Sequence, residues 1–274
     1  MNNNSPIGIF DSGYGGLTVY NEIVQRLPQY DYIYLGDNAR VPYGNRSFET
    51  VHEFTWQCIE QLFEMDCPLV VIACNTASAK ALRTIQQRDL PLYRPEHKVL
   101  GVIRPTTEKI GEYTKTGHIG ILATKGTVLS ESYVIEINKF FPDIIVHQQA
   151  CPMWVPIIEN NEHLAPGADY FIQKYLDALM EQSDQIDTII LACTHYPLLM
   201  DKIKAYLPTG INIICQGPIV ADSLDNYLLR HPEIETTISK GGLRKYYTTD
   251  DAIDFNEKAQ LFLGYPVESN HLNL

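Results

Sequence analysis

The chain has 274 residues and carries 33 acidic side chains against 21 Lys and Arg, a net charge of −12. That balance excludes the clustered basic surface a nucleic-acid interface needs, so the expected partners are small molecules and no nucleic acid. No apolar run approaches the roughly 18 residues that span a bilayer, which excludes a membrane-spanning helix, and the length is comfortable for two domains.

In chain order, Met1-Asn2-Asn3-Asn4-Ser5-Pro6 lacks the basic start and apolar segment of a signal peptide, so a cytoplasmic location is expected. It also leads to the expectation that no long amino-terminal extension carries an activator site. Residues 7–10 read as a buried strand that turns through Asp11-Ser12-Gly13-Tyr14-Gly15-Gly16 into a helix over 18–26. Such a glycine-rich turn can hold an anion on its amides. It is not Gly-x-Gly-x-x-Gly and has no Walker lysine, so a nucleotide site is rejected. A second strand over 32–35 leads to Asp37-Asn38 and Pro42-Tyr43-Gly44 on the same rim, and a helix follows over 47–65. A third strand, 69–73, stops at Cys74-Asn75-Thr76 before a helix over 77–88, and 99–103 is a fourth strand. Residues 100–116 read as a loop joining two halves.

The second half repeats the plan. Strands are expected at 119–123, 144–147 and 188–192, and helices at about 129–140, 168–182 and 198–206. Thr124-Lys125-Gly126-Thr127 stands where Asp11 to Gly16 stands in the first half. Glu159 ends an apolar stretch as either a helix-end acid or a site carboxylate. A strand over 211–215 and a helix over 221–229 follow, and the type of the Thr- and Tyr-rich stretch 236–249 is left unassigned. Alternating strands and helices imply parallel sheets. The expectation is an α/β fold of two pseudo-symmetric open parallel-sheet domains, 1–99 with 212–274 and 100–211, with the active site in the cleft between them.

Two stretches carry the functional argument: Val70-Val71-Ile72-Ala73-Cys74-Asn75-Thr76 and Ile189-Ile190-Leu191-Ala192-Cys193-Thr194-His195 look like copies of each other. Each is a buried strand that stops at Ala-Cys and hands over to polar residues and a helix. Ligands of open α/β sheets sit beyond the carboxyl ends of the strands, so both thiols belong to one site. A helix amino terminus should lower each thiol's pKa from about 8.5. His195, two residues past Cys193, is near enough to tune it. The remaining cysteines, Cys58, Cys67, Cys151 and Cys215, read as small core hydrophobes. No Cys-x-x-Cys pair or metal-spaced set is present, so neither a disulfide framework nor a metal ligand set is expected.

From residue 7 to about 265 the chain resembles the cofactor-independent glutamate racemases. The resemblance rests on Ile9-Phe10-Asp11-Ser12-Gly13 with Gly15-Gly16, Gly36-Asp37 with Pro42-Tyr43-Gly44, Ala73-Cys74-Asn75-Thr76-Ala77, Leu122-Ala123-Thr124 with Thr127, and Cys193-Thr194-His195-Tyr196-Pro197-Leu198. Cys-Asn-Thr alone is shared with aspartate racemase-like relatives; the His-Tyr-Pro continuation favours the glutamate enzymes. One departure is Arg104, where the usual pattern has Glu. The resemblance implies no metal and no pyridoxal phosphate. It assigns Cys74 to D-glutamate and Cys193 to L-glutamate, with Asp11 assisting Cys74, His195 assisting Cys193 and Glu159 in support. By the same resemblance the substrate is held by Asp11, Ser12, Asn75, Thr76, Thr124, Thr127, Thr194 and His195, with Tyr43 and Gly44 lining the site, and D-glutamate feeds peptidoglycan. The oligomeric state is open, a homodimer among the options. Two rivals stand beside this reading: an aspartate- or hydantoin-directed racemase with the same thiols, and a two-domain capture protein that needs no thiol.

Overall fold

The computed structural model describes residues 5–274; the signal-peptide reading of Met1 to Asn4 lies outside the described residues. Among the described residues, ten strands form two sheets. They are β1 (Ile7–Asp11), β2 (Tyr32–Gly36), β3 (Leu69–Ile72), β4 (Lys98–Gly101), β5 (His118–Ala123), β6 (Ile145–Ala150), β7 (Thr188–Ala192), β8 (Asn212–Ile214), β9 (Arg244–Thr248) and β10 (Ser269–His271). The first sheet runs β10-β9-β2-β1-β3-β4 and the second β6-β5-β7-β8. Every strand pair is parallel.

The order β2-β1-β3-β4 is repeated by β6-β5-β7-β8, so the two sheets are two versions of one unit, the first widened by β9 and β10. In-register pairing levels the strand ends: Asp11 lies beside Gly36 and Phe10 beside Ile72, as Ala123 lies beside Ala150 and Ala192. The segments that follow these ends therefore share a rim in each sheet. Central strands β1, β3 and β7 are buried throughout, as parallel strands covered by helices on both faces should be.

Several boundaries differ from the sequence reading. The domain limits at 99/100 and 211/212 miss the sheets, because Leu100 and Gly101 finish β4 against Val71 and Ile72 while Asn212–Ile214 pairs with β7 in the second sheet. The supposed loop contains the Ile103–Lys109 helix. Pro105 sits in its first turn, where the missing N–H costs nothing. Likewise Pro218 lies in the first turn of Gln216–Arg230, a helix that begins ahead of the expected 221. The 77–88 helix is instead Asn75–Lys80, Leu82–Thr84 and a π-helical Ile85–Asp89. The 129–140 helix is split into Lys125–Leu129 and Ser132–Phe140, since Glu131 at φ 53° is left-handed. The unassigned tail supplies β9, with Tyr246 and Thr248 buried. Cys58, Cys67 and Cys151 are buried and Cys215 is partly exposed. Arg104 is an exposed side chain paired to Glu108 at 2.7 Å.

Candidate active site

Cys74 and Cys193 each follow a strand of the matched pair β3 and β7, and they are 5% and 6% exposed. Cys74 caps the Asn75–Lys80 helix, its Sγ accepting the Ala77 N–H at 3.4 Å, and Ser12 Oγ lies 3.3 Å from the same sulfur. The cap donor and Ser12 favour the thiolate, as the helix terminus was expected to do. Burial outweighs them, and with the nearby Asp11 carboxyl it pushes the Cys74 pKa up to about 12. Cys193 contributes to that rise too.

Asp11 ends β1 and is 1% exposed. Its Oδ2 accepts the Gly13 N–H at 2.9 Å, whereas buried Oδ1 has no hydrogen-bond partner among the described residues. Burial raises the pKa of this carboxyl, with the His195 charge pulling the other way. Around Cys193 the charge is reversed. His195 Nδ1 is 3.9 Å from Cys193 Sγ and Nε2 is 2.9 Å from Glu159 Oε1. Burial disfavours the imidazolium, yet the bonds and charges of Cys193 and Glu159 prevail and hold the His195 pKa at about 10. Phe262 meets the ring edge-on, with centroids 5.4 Å apart.

The two rims touch. A Cβ on Gly15 would lie 2.3 Å from His195 Nδ1 and 2.4 Å from Thr194 Oγ1, so only glycine lets the first turn pack on the second unit. The Thr18 hydroxyl lies 2.9 Å from the Thr194 carbonyl. Thr76 Oγ1 is 2.9 Å from Thr124 Oγ1, which is 3.2 Å from Thr127 Oγ1. Gly44 packs on Thr124, where a Cβ would lie 3.1 Å from that side chain's own. The structure thus brings Asp11, Ser12, Cys74, Thr76, Thr124, Thr127, Glu159, Cys193, Thr194 and His195 to the crevice where the two rims meet. Two open surface grooves, one lined by Met200 and Lys204 and one by Gln86 and His97, contain none of them. Tyr43, expected to line the site, is buried against Phe10 and Phe54 with its hydroxyl committed to Asp37, which also binds Arg40 and Thr249. Sequence reasoning missed Phe262, Tyr133 and Gln216, which come from distant segments and carry no local signal; Tyr133 and Gln216 are hydrogen-bonded to Asn75.

Paired thiols at level strand ends of two like sheets, backed by a carboxyl group on one side and an imidazolium on the other, are the equipment of an amino-acid racemase. The family description Asp/Glu/Hydantoin racemase matches residues 7–224, and the chain belongs to that family. Among its relatives, the glutamate racemase of Shouchella clausii (strain KSM-K16) is 38% identical over 96% of this chain and 92% of its own. The crystal structure of a glutamate racemase isoform from Bacillus anthracis superposes with TM-score 0.89 at 35% identity, covering 98% of each chain. The Francisella tularensis glutamate racemase, solved in complex with D-glutamate, gives 0.87 at 29% identity, covering 99% of this chain and 98% of its own. The protein is an isomerase of amino acids. Among the described residues no helix is long and apolar enough to cross a membrane.

Proposed function

We propose that the protein interconverts L- and D-glutamate by a two-base proton transfer and, in the cytoplasm, supplies D-glutamate for peptidoglycan. The α-proton is a very weak acid, so it must be met by positioned groups, and inversion needs a base on one face and an acid on the other. In the L-to-D direction a Cys193 thiolate takes the α-proton and the Cys74 thiol gives its proton to the opposite face. The reaction leaves a Cys193 thiol and a Cys74 thiolate, and the reverse direction exchanges their roles. One observation carries the reading: burial and Asp11 keep Cys74 protonated while His195 sets a cation 3.9 Å from Cys193. An acid is then already in place on one side of L-glutamate, with an imidazolium beside the thiol on the other.

Asp11, Ser12, Asn75, Thr76, Thr124, Thr127, Thr194 and His195 hold the substrate in this scheme, and side chains alone carry the chemistry without metal or pyridoxal phosphate. Entry requires the buried rims to part. The parting units are the one bearing β1–β4, β9 and β10 and the one bearing β5–β8.

The test is racemisation of L-glutamate followed by circular dichroism without added cofactor, with L-aspartate compared. In deuterium oxide, early D-product should carry deuterium at the α-carbon while recovered L-glutamate stays largely protiated. First-turnover product that retains the substrate proton overturns the two-base scheme. Preference for L-aspartate overturns the substrate, and dependence on added metal or pyridoxal phosphate overturns the side-chain chemistry.

A further inference from the structure

Beneath the crevice three side chains from distant segments close a ring. Asn75 Nδ2 donates to Gln216 Oε1 at 2.7 Å, Gln216 Nε2 donates to the Tyr133 hydroxyl at 2.7 Å, and Tyr133 donates to Asn75 Oδ1 at 2.6 Å. Asn75, Tyr133 and Gln216 are 2%, 0% and 4% exposed. Asn75 opens the helix after Cys74, Tyr133 lies on Ser132–Phe140, and Gln216 opens the helix after β8.

The direction of the ring is fixed at one point. Gln216 Nε2 also faces the Val102 carbonyl at 3.3 Å and Thr106 Oγ1 at 3.0 Å. A carbonyl can only accept, and the Thr106 proton is spent on that same carbonyl at 3.1 Å. The Gln216 nitrogen must therefore face them and its oxygen must face Asn75. Asn75 then has to present Nδ2 to Gln216 and Oδ1 to Tyr133. The Tyr133 hydroxyl keeps its proton, because burial raises its pKa, so it serves as the donor that Oδ1 requires.

With its oxygen consumed and one N–H bound to Gln216, the Asn75 amide has its second N–H left without a protein acceptor among the described residues. We propose that Tyr133 and Gln216 are positioning residues that make Asn75 a donor only, so that it reads a carboxylate of the substrate and cannot accept from the ammonium group. This rests on the assignment of Asn75 as a substrate contact above and extends it to the two side chains that set its polarity. Where the group read is the distal carboxylate, whose charge the reaction leaves unchanged, loss of the contact should appear chiefly in KM.

The experiment is a double-mutant cycle on glutamate racemisation using Asn75→Ala, Tyr133→Phe and the pair, with Tm measured for each. Tyr133→Phe removes only the oxygen that holds Oδ1. It should raise KM for both glutamate enantiomers roughly tenfold, with a smaller change in kcat, in line with a weakened bond to a charged group. In the Asn75→Ala background the same change should leave KM where Asn75→Ala alone puts it. Gln216→Met should behave like Tyr133→Phe, and Gln216→Glu, which sets an acceptor against the Val102 carbonyl and competes for the Tyr133 proton, should not recover the affinity. Independent, multiplicative effects on KM, or an effect confined to Tm, overturn the ring as a positioning device. Normal KM in Asn75→Ala overturns it as well while leaving the racemase standing. A wild-type enzyme that does not turn over glutamate fells the proposed function instead.

Discussion

Cys74 and Cys193 end matching strands, yet their neighbours carry opposite charge. Beside Cys74 stand a cap donor, a hydroxyl and a buried carboxyl group, and burial holds the sulfur protonated. Beside Cys193 stands an imidazolium braced by Glu159. A repeated backbone unit thus supplies symmetric placement, while the residues on its rims supply an asymmetric proton inventory. A site that must both give and take a proton needs the second as much as the first.

The comparison breaks most sharply by deleting either sulfur. Cys74→Ala or Cys193→Ala should stay folded and lose about 100- to 10,000-fold in racemisation, the scale of a missing general acid or base. Near wild-type turnover in both directions for either variant would end the two-thiol scheme.

A smaller effect is expected from Gly15→Ala, which pushes a methyl to within 2.3 Å of His195 and disturbs the Cys193 side while sparing Cys74. Overpacking of this kind costs about 1–3 kcal/mol. Shifting the imidazole by about 1 Å should lower kcat on the order of 100-fold. Thermal denaturation and circular-dichroism kinetics measure the two, and an unchanged kcat would show that His195 does not need this packing.

Glu159→Gln sharpens the comparison most gently, since it removes the brace and leaves the ring. The alkaline limb of kcat/KM should move to lower pH as the His195 pKa falls from about 10. Stability should follow with a definite sign. A histidine raised from 6.5 to about 10 on folding contributes stability that is complete below pH 6.5 and lost as pH rises through 10. Between those values the wild type should lose Tm faster than Glu159→Gln; parallel curves would mean that Glu159 does not hold the charge.

Much of this was legible in the chain. Matched strand-cysteine segments gave the paired units, because a buried strand followed by a capping turn is a local pattern. His195 and Glu159 were visible as candidates, but their mutual contact is a tertiary fact. The expected lowering of the Cys74 pKa failed because the dipole argument counts only the helix, whereas enclosure and Asp11 act from other segments. The helix break at Glu131 lacked the glycine that usually announces a left-handed residue. Gln216 and Tyr133 had no signal, since a polar residue's partner 58 or 141 positions away leaves no trace in periodicity.

The strand order has a consequence for how the molecule assembles in time. β5–β8 all lie between His118 and Ile214, so the second sheet closes over one stretch of chain. The first sheet must wait: β2 at Tyr32 pairs with β9 at Arg244, a separation of 212 residues with the whole second sheet between them. Loop-closure entropy makes such distant pairing slow, and the intervening unit shortens it by folding first and drawing its own ends together. Pulse-labelled hydrogen exchange during refolding should protect β5 and β7 amides before those of β9, and the reverse order would refute the sequence of events.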